Sequence, residues 1–303
     1  MRRQLFTLLL AVPLTAGAQI FSVSSERTVA LPDSTSQVAA ISPRGDFLLL
    51  TDAENNGLRK YDLTTGAITP ITTASGAGYG VELSADGTKA VYREITYDQH
   101  HLRYTSLHVA DLSGGKSRQV VKPTRSLQGY SVDGGQLSTT QAGMSRSRVI
   151  AGGSSVSTSR PALSIDNGQL MISSDGGEAT VFSPLGTDKS YIWPSLSPSG
   201  SKVLFYVGGE GAYVCSLDGS NPVSLGILRA PKWYDDNTVV GMYDEDDGVA
   251  VYASRIIAAT LDGRRQTLSP DSIVAMYPQV APEAGRITYS TPEGGTRIID
   301  VKK

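Results

Sequence analysis

Three observations in the 303-residue sequence predict an all-β fold, a six-bladed β-propeller of four-stranded antiparallel blades whose ring is closed by an N-terminal strand. One strand–turn signal recurs six times. A second signal, an apolar strand ending in Asp before a small or Gly-rich turn, follows each copy. No long amphipathic helical pattern interrupts the series.

The first signal is clearest in YIWPSLSPSGSKVLF, Tyr191 to Phe205, where an apolar run, a Ser-Pro-x-Gly turn and a second apolar run follow one another. Aligned on Ser197, the other copies place Ser42, Ser84, Ser131, Tyr234 and Ala281 at the same point. The second signal gives Asp62, Asp111, Asp175, Asp218, Asp262 and Asp300. Each unit then reads as four short strands, with Gly supplying the positive φ of the turns. One small sheet cannot cover both its faces, and neighbouring blades do this for each other.

The interval from Ser131 to Ser197 is longer than the rest. Gly134 to Pro161, rich in Ser, Gly and Thr, is expected as an insertion in an enlarged third blade, with a small extra blade as the alternative. The last copy leaves room for three strands before Lys303, and the β-like segment from Gln19 to Asp33 is expected to supply the fourth, since an open sheet edge is a hazard. The expected organisation is therefore a signal segment over 1–18 and one propeller over 19–303. Its blades fall at about 38–75, 76–125, 126–188 with the insertion, 189–227, 228–271, and 272–303 plus 19–35.

The opening MRRQLFTLLLAVPLTAGAQ has a positive head at Arg2 and Arg3, a short apolar run and the small-residue site Ala16-Gly17-Ala18. That pattern predicts export to the periplasm or outside the cell, with no transmembrane anchor because the apolar run is too short to span a bilayer. Cys215 is the single cysteine, so no intrachain disulfide holds the fold. A formal charge of −2 argues against binding a phosphate backbone, so no nucleic-acid partner is expected.

The motifs Ser42-Pro43-Arg44-Gly45, Ser84-Ala85-Asp86-Gly87 and Ser197-Pro198-Ser199-Gly200, with Asp62, Asp111, Asp218 and Asp262, resemble the TolB-like (WD-repeat-like) family of six-bladed β-propellers. The chain is also similar to secreted propeller proteins of Bacteroidetes whose role is unassigned. Ser131-Val132-Asp133-Gly134 lacks the Pro, and Tyr234-Asp235-Asp236-Asn237 lacks both Pro and Gly. The resemblance implies a protein-binding part of an envelope system, a gating domain beside a peptidase, or, in one branch, a pectin-fragment lyase.

Enzyme readings find little support. There is no Gly-x-Ser-x-Gly elbow. The lyase branch implies a histidine-rich channel site, whereas His100, His101 and His108 all fall in one blade. The expectation is a non-enzymatic, monomeric binding or scaffold propeller recognising an envelope protein, peptide or glycan at one mouth, with a channel-sited polysaccharide lyase or hydrolase as the alternative. First strands line a propeller channel, which nominates Tyr79, Glu82, Tyr191, Trp193, Arg229, Lys232 and Tyr277 as ligand-binding residues, with Met276, Arg93 and Glu94 nearby. Trp193 reads as well as inter-blade core as at the mouth, and Trp233 reads rather as inter-blade core. The acidic run Tyr243 to Gly248 is expected at a hairpin tip, where Asp244 and Asp246 either stand solvated or hold calcium; no other cofactor is expected. Arg146 and Arg148 mark the inserted stretch as a second candidate face.

Overall fold

A computed structural model describes residues 19–31, 36–152, 160–247 and 251–303. The expected signal segment, 1–18, lies outside the described residues, as do Asp33, part of the expected insertion and Gly248 of the acidic run.

The described strands form seven antiparallel sheets, not six. Blade 1 comprises β2 (Gln37–Ile41), β3 (Phe47–Thr51), β4 (Leu58–Asp62) and β5 (Ile68–Thr72). Blade 2 comprises β6 (Glu82–Leu83), β7 (Lys89–Tyr97), β8 (Arg103–Asp111) and β9 (Ser117–Thr124). Blade 3 has three strands, β10 (Leu127–Asp133), β11 (Gln136–Gln141) and β12 (Met144–Val149). Blade 4 also has three, β13 (Ala162–Asp166), β14 (Gln169–Ser173) and β15 (Thr180–Val181). Blade 5 runs through β16 (Tyr191–Leu196), β17 (Lys202–Val207), β18 (Gly211–Ser216) and β19 (Val223–Gly226). Blade 6 runs through β20 (Arg229–Asp235), β21 (Thr238–Asp246), β22 (Val251–Thr260) and β23 (Arg265–Thr267). Blade 7 contains β24 (Met276–Ala281), β25 (Arg286–Ser290) and β26 (Thr296–Lys302), with β1 (Ser22–Val29) as its outer strand.

The enlarged third blade is thus corrected to two separate three-stranded blades, and the uniform four-stranded pattern fails with it. The physical reason lies in their turns and core. The Ser of the repeat motif normally ties a four-residue loop: Ser84 Oγ accepts from Lys89 N at 2.9 Å, and Ser42 Oγ accepts from Phe47 N at 3.1 Å. Blades 3 and 4 instead turn through two residues, Gly134-Gly135 and Asn167-Gly168; blade 3 keeps only a Pro-less copy of the signal at Ser131, and blade 4 has no copy of its own. Their shared interior is a seam of hydroxyls. Thr140, Ser145 and Ser173 are buried, and Ser145 Oγ bonds to both Thr140 and Ser173. The backbone around Gly176 to Ala179 docks on β12, where Ser145 N donates to Gly177 O at 3.0 Å, and so covers an edge that has no fourth strand among the described residues.

The aliphatic interior lies between the other sheets. Leu49, Leu58, Ala90 and Tyr92 join blades 1 and 2, while Leu204, Val214, Trp233 and Val239 join blades 5 and 6. At the ring closure β1 pairs antiparallel with β26 from Ser22–Lys302 to Val29–Thr296. The segment before β1 also grips blade 6. Gln266 Oε1 accepts from Ile20 N and Phe21 N at 2.8 and 2.7 Å, and Phe21 packs edge-on against Tyr234 with ring centroids 4.6 Å apart. Cys215 is buried, which pushes its thiol up to about 12.

Phe21 has no exposed surface, so Phe21→Ala should cost about 3–5 kcal/mol through lost burial and a residual cavity. Urea denaturation will show a lower midpoint; an unchanged midpoint would mean that this segment does not hold the closure.

Candidate functional site

The inner strands begin at one face of the ring and run toward their Ser-x-x-Gly turns at the other. Four residues before the aligned position, blades 2, 5, 6 and 7 carry Gly80, Trp193, Ala230 and Tyr277, all with positive φ (67°, 52°, 47° and 54°). Non-glycine residues rarely enter this region. In the last three blades the next residue is Pro194, Pro231 or Pro278, which has no N–H to give the ladder. The register slips at each: between Ile192 and Ser195, Arg229 and Lys232, and Met276 and Gln279. A bulge absorbs the missing donor and re-aims the side chain.

The result is a mouth rimmed by exposed aromatics. Tyr79 is 50% exposed, Tyr277 43% and Trp193 37%. Trp193 rests edge-on against Tyr206, centroids 5.5 Å apart. The tips of the second and third strands rise at the same face, because in each antiparallel blade the second strand ends where the first begins. The β7–β8 and β21–β22 hairpins are the long ones. They present Tyr97, Tyr243 and Tyr252 to solvent from roughly opposite sides of the ring.

Below the rim, Arg229 lies between blade 6's carboxylates. Its Nη1 is 2.8 Å from Asp244 Oδ2 and its Nη2 is 3.7 Å from Asp246 Oδ2. The Asp244 side chain is only 2% exposed, and its Oδ1 is buried with no hydrogen-bond partner. Asp244, Glu245 and Asp246 are the last residues of β21, leading into the β21–β22 hairpin, and the Arg229 guanidinium lies against Asp244. Glu245 faces Arg255 at 3.0 Å. Among the described residues, no three His, Cys, Asp or Glu are grouped so as to hold a metal ion.

One level deeper, two residues before the aligned position, the inner strands carry Glu82, Ser195, Lys232 and Gln279. Glu82 keeps a small solvent contact but sits deep among protein atoms. Desolvation raises its carboxyl from 4.5 to about 7, with the charge of Lys232, from a blade across the ring, opposing the rise.

On the blade 2 side, Arg93 is held between two rings, 4.7 Å from the centroid of Tyr79 and 5.4 Å from that of Tyr130. Tyr130, which sequence reasoning did not single out, donates its hydroxyl to Gly80 O at 2.6 Å. Other nominated residues fall elsewhere. Tyr191 is fully buried, donates to Gly186 O and accepts from Leu185 N, both at 2.9 Å, and so serves the core between blades 4 and 5. Trp233 is core between blades 5 and 6, its Nε1 donating to Ser195 O at 3.4 Å. His100 and His101 stand exposed at the β7–β8 tip, and His108 pairs with Glu94 at 3.0 Å within the blade. Arg148 is tied to Val120 O at 2.8 Å. The overlooked signal was the Trp-Pro, Ala-Pro and Tyr-Pro dipeptides at a fixed offset from the repeat.

No protein-family model matches the chain, and no curated protein does. Solved structures do. A TolB from Agrobacterium tumefaciens aligns with a TM-score of 0.56 at 15% identity, over 89% of this chain and 91% of that one. The Cps50 (Swd1) β-propeller domain of Myceliophteria thermophila aligns with a TM-score of 0.56 at 12% identity, over 93% and 100%. The oligogalacturonate lyase of Vibrio parahaemolyticus aligns with a TM-score of 0.47 at 16% identity, over 87% and 76%. These identities show a propeller fold and nothing finer, and the chain's seven sheets correct the six-bladed resemblance drawn from its motifs.

Two predictions follow from the charges. Folding favours the protonated form of Glu82, so the folded chain binds an extra proton between pH 4.5 and about 7. Stability is therefore highest below that window and falls as pH rises through it. Glu82→Gln should leave the melting temperature at pH 4 nearly unchanged and raise stability at pH 8 by about 1–3 kcal/mol; equal effects at both values would refute the burial account. Separately, Arg229→Ala strands the Asp244 carboxylate and should cost about 3 kcal/mol in urea denaturation, much of it recovered when Asp244→Asn is added.

Proposed function

We propose that this chain is an exported, non-enzymatic binding or scaffold propeller that recognises a protein, peptide or glycan at the mouth where its inner strands begin. The supporting observation is the set of exposed aromatic side chains held in strained, proline-linked bulges around one rim, Trp193 and Tyr277 above all. Strain of this kind costs about 1–3 kcal/mol per residue and collects where a side chain must be presented in one orientation. Large flat faces beside Arg229 suit stacking on a sugar ring or gripping an extended peptide. Export rests on the opening MRRQLFTLLLAVPLTAGA of the sequence. Among the described residues no helix is long and apolar enough to cross a membrane.

The test is capture from a native envelope extract by the chain beginning at Gln19, followed by affinity measurement with the recovered protein or glycan. Trp193→Ala with Tyr277→Ala should weaken binding at least about tenfold, since interface aromatics are often worth more than 1 kcal/mol, while leaving the melting temperature close to that of the parent. Ligand binding should also shift tryptophan emission, and Trp193 would be its source because Trp233 is buried. Unchanged affinity in the double variant would reject this mouth; release of cleaved glycan would establish the lyase or hydrolase reading instead.

A further inference from the structure

A cleft of about 320 Å³ opens between blades 2 and 3, lined by Arg93, Arg103, Arg125, Thr105, Thr124 and Gln128 together with Leu127 and Gly129. Its walls follow from the strand pattern. Thr105 lies two residues from Arg103 on β8, so both project from one face, and Thr105 is registered against Ile95 of β7, two residues beyond Arg93. Thr124 at the end of β9 pairs with Thr105, and Arg125 begins the link to blade 3. Three arginines therefore line one small space in a chain whose formal charge is −2.

This charge is not neutralised from within. Among the described residues, no carboxylate lies within 4 Å of a nitrogen of Arg93, Arg103 or Arg125. Asp98 feels the charge of Arg125, but its oxygens are engaged by the backbone N–H groups of His100 and Leu102 and the hydroxyl of Tyr104. Arg93 Nε is buried without a hydrogen-bond partner. Gln128 is oriented by its own contact: its Oε1 accepts from Gly143 N at 2.7 Å, which leaves its amide NH₂ as the donor. Guanidinium forks, a primary amide and threonine hydroxyls are the groups that bind an oxoanion, because they offer several fixed donors and positive charge at once.

We propose that this cleft is a binding site for an oxoanion, a carboxylate or phosphate group carried by a small molecule or a larger ligand. Like charges held close together in a walled cleft focus the field and raise the local concentration of anions. Arg93 links the cleft to the mouth, because Tyr79 stacks on one face of the same guanidinium. The site stands on the arginine cluster alone and does not depend on how the mouth is used.

The experiment titrates inorganic phosphate and, separately, the tricarboxylate citrate into the chain beginning at Gln19, at constant ionic strength balanced with sodium chloride. Calorimetry and thermal shift are the readouts. Saturable binding of either probe is expected, and the stronger one identifies the chemistry. Arg103→Gln with Arg125→Gln changes two exposed side chains and should fold normally, while weakening binding at least tenfold. Arg93→Lys keeps the charge but loses the fork and should weaken it by a similar factor. Trp193→Ala with Tyr277→Ala should leave it unchanged, which separates this site from the mouth. The proposal is overturned if neither probe binds beyond the chloride control, or if the doubly substituted chain binds as tightly as its parent.

Discussion

The fold depends on a single constraint: every sheet has two faces, and both must be covered by other sheets. Only a closed circle satisfies this for all seven at once. Closure is made by the pairing of β1 with β26, and it is fastened on both sides. Gln266 of blade 6 accepts from the backbone of Ile20 and Phe21, and Lys303 at the other terminus donates to Thr238 Oγ1 of the same blade at 2.7 Å. Glu26 from β1 receives the hydroxyl of Tyr289 and lies 3.3 Å from Arg297. With no disulfide available to a chain that has one cysteine, these contacts and the apolar faces they bring together keep the ends of the circle joined.

How legible this was depends on what each blade is made of. Blades 1, 2 and 5 carry the Ser-x-x-Gly turn because a buried serine hydroxyl has to satisfy the backbone where the chain reverses, so the same letters recur. Blade 6 dispenses with the serine but keeps the apolar strand and its Asp. Blades 3 and 4 share one repeat's worth of signal between them, Ser131 in the first and Asp175 in the second. Their two-residue turns need no serine tie, and their common interior uses Thr140, Ser145 and Ser173 where the other blades use leucine and valine. A strand such as QLSTTQ reads as polar loop by hydrophobic pattern, and its hydroxyls become core only because a neighbour's hydroxyls face them. That property belongs to a pair of blades and cannot be seen in either alone.

The mouth was partly legible for a related reason. Position in the repeat nominates Tyr79, Trp193, Arg229 and Tyr277, and the bulges of blades 5 and 7 place Trp193 and Tyr277 in solvent. The same counting nominates Tyr191, yet two residues of strand separate a rim position from a buried one, and the Gly186 carbonyl takes its hydroxyl. The pairing of Arg229 with Asp244 was out of reach, because it joins the first and second strands of one blade across a slipped register. Four acidic residues in a row read as a solvated tip or a calcium site; neither reading foresees the Arg229 guanidinium set against Asp244.

Charge is distributed unevenly around the ring, and its sense differs between the rim and the channel. Blade 6 carries Asp244, Glu245 and Asp246 up its long hairpin, partly answered by Arg229 and Arg255, while the blade 2 side carries Arg93, Arg103 and Arg125 with no such answer. At channel depth the order is reversed, with the carboxyl of Glu82 on blade 2 and the ammonium of Lys232 on blade 6. On the binding reading proposed above, a ligand lying over the mouth would span from the unpaired arginines of blade 2 to the arginine-paired carboxylates of blade 6, with aromatic surfaces between them. Such an arrangement fixes direction as well as position, because reversing an asymmetric ligand would set like charges together. The two long hairpins rise from blades on opposite sides of the ring, so this polarity runs across the mouth and gives its aromatic rim an axis.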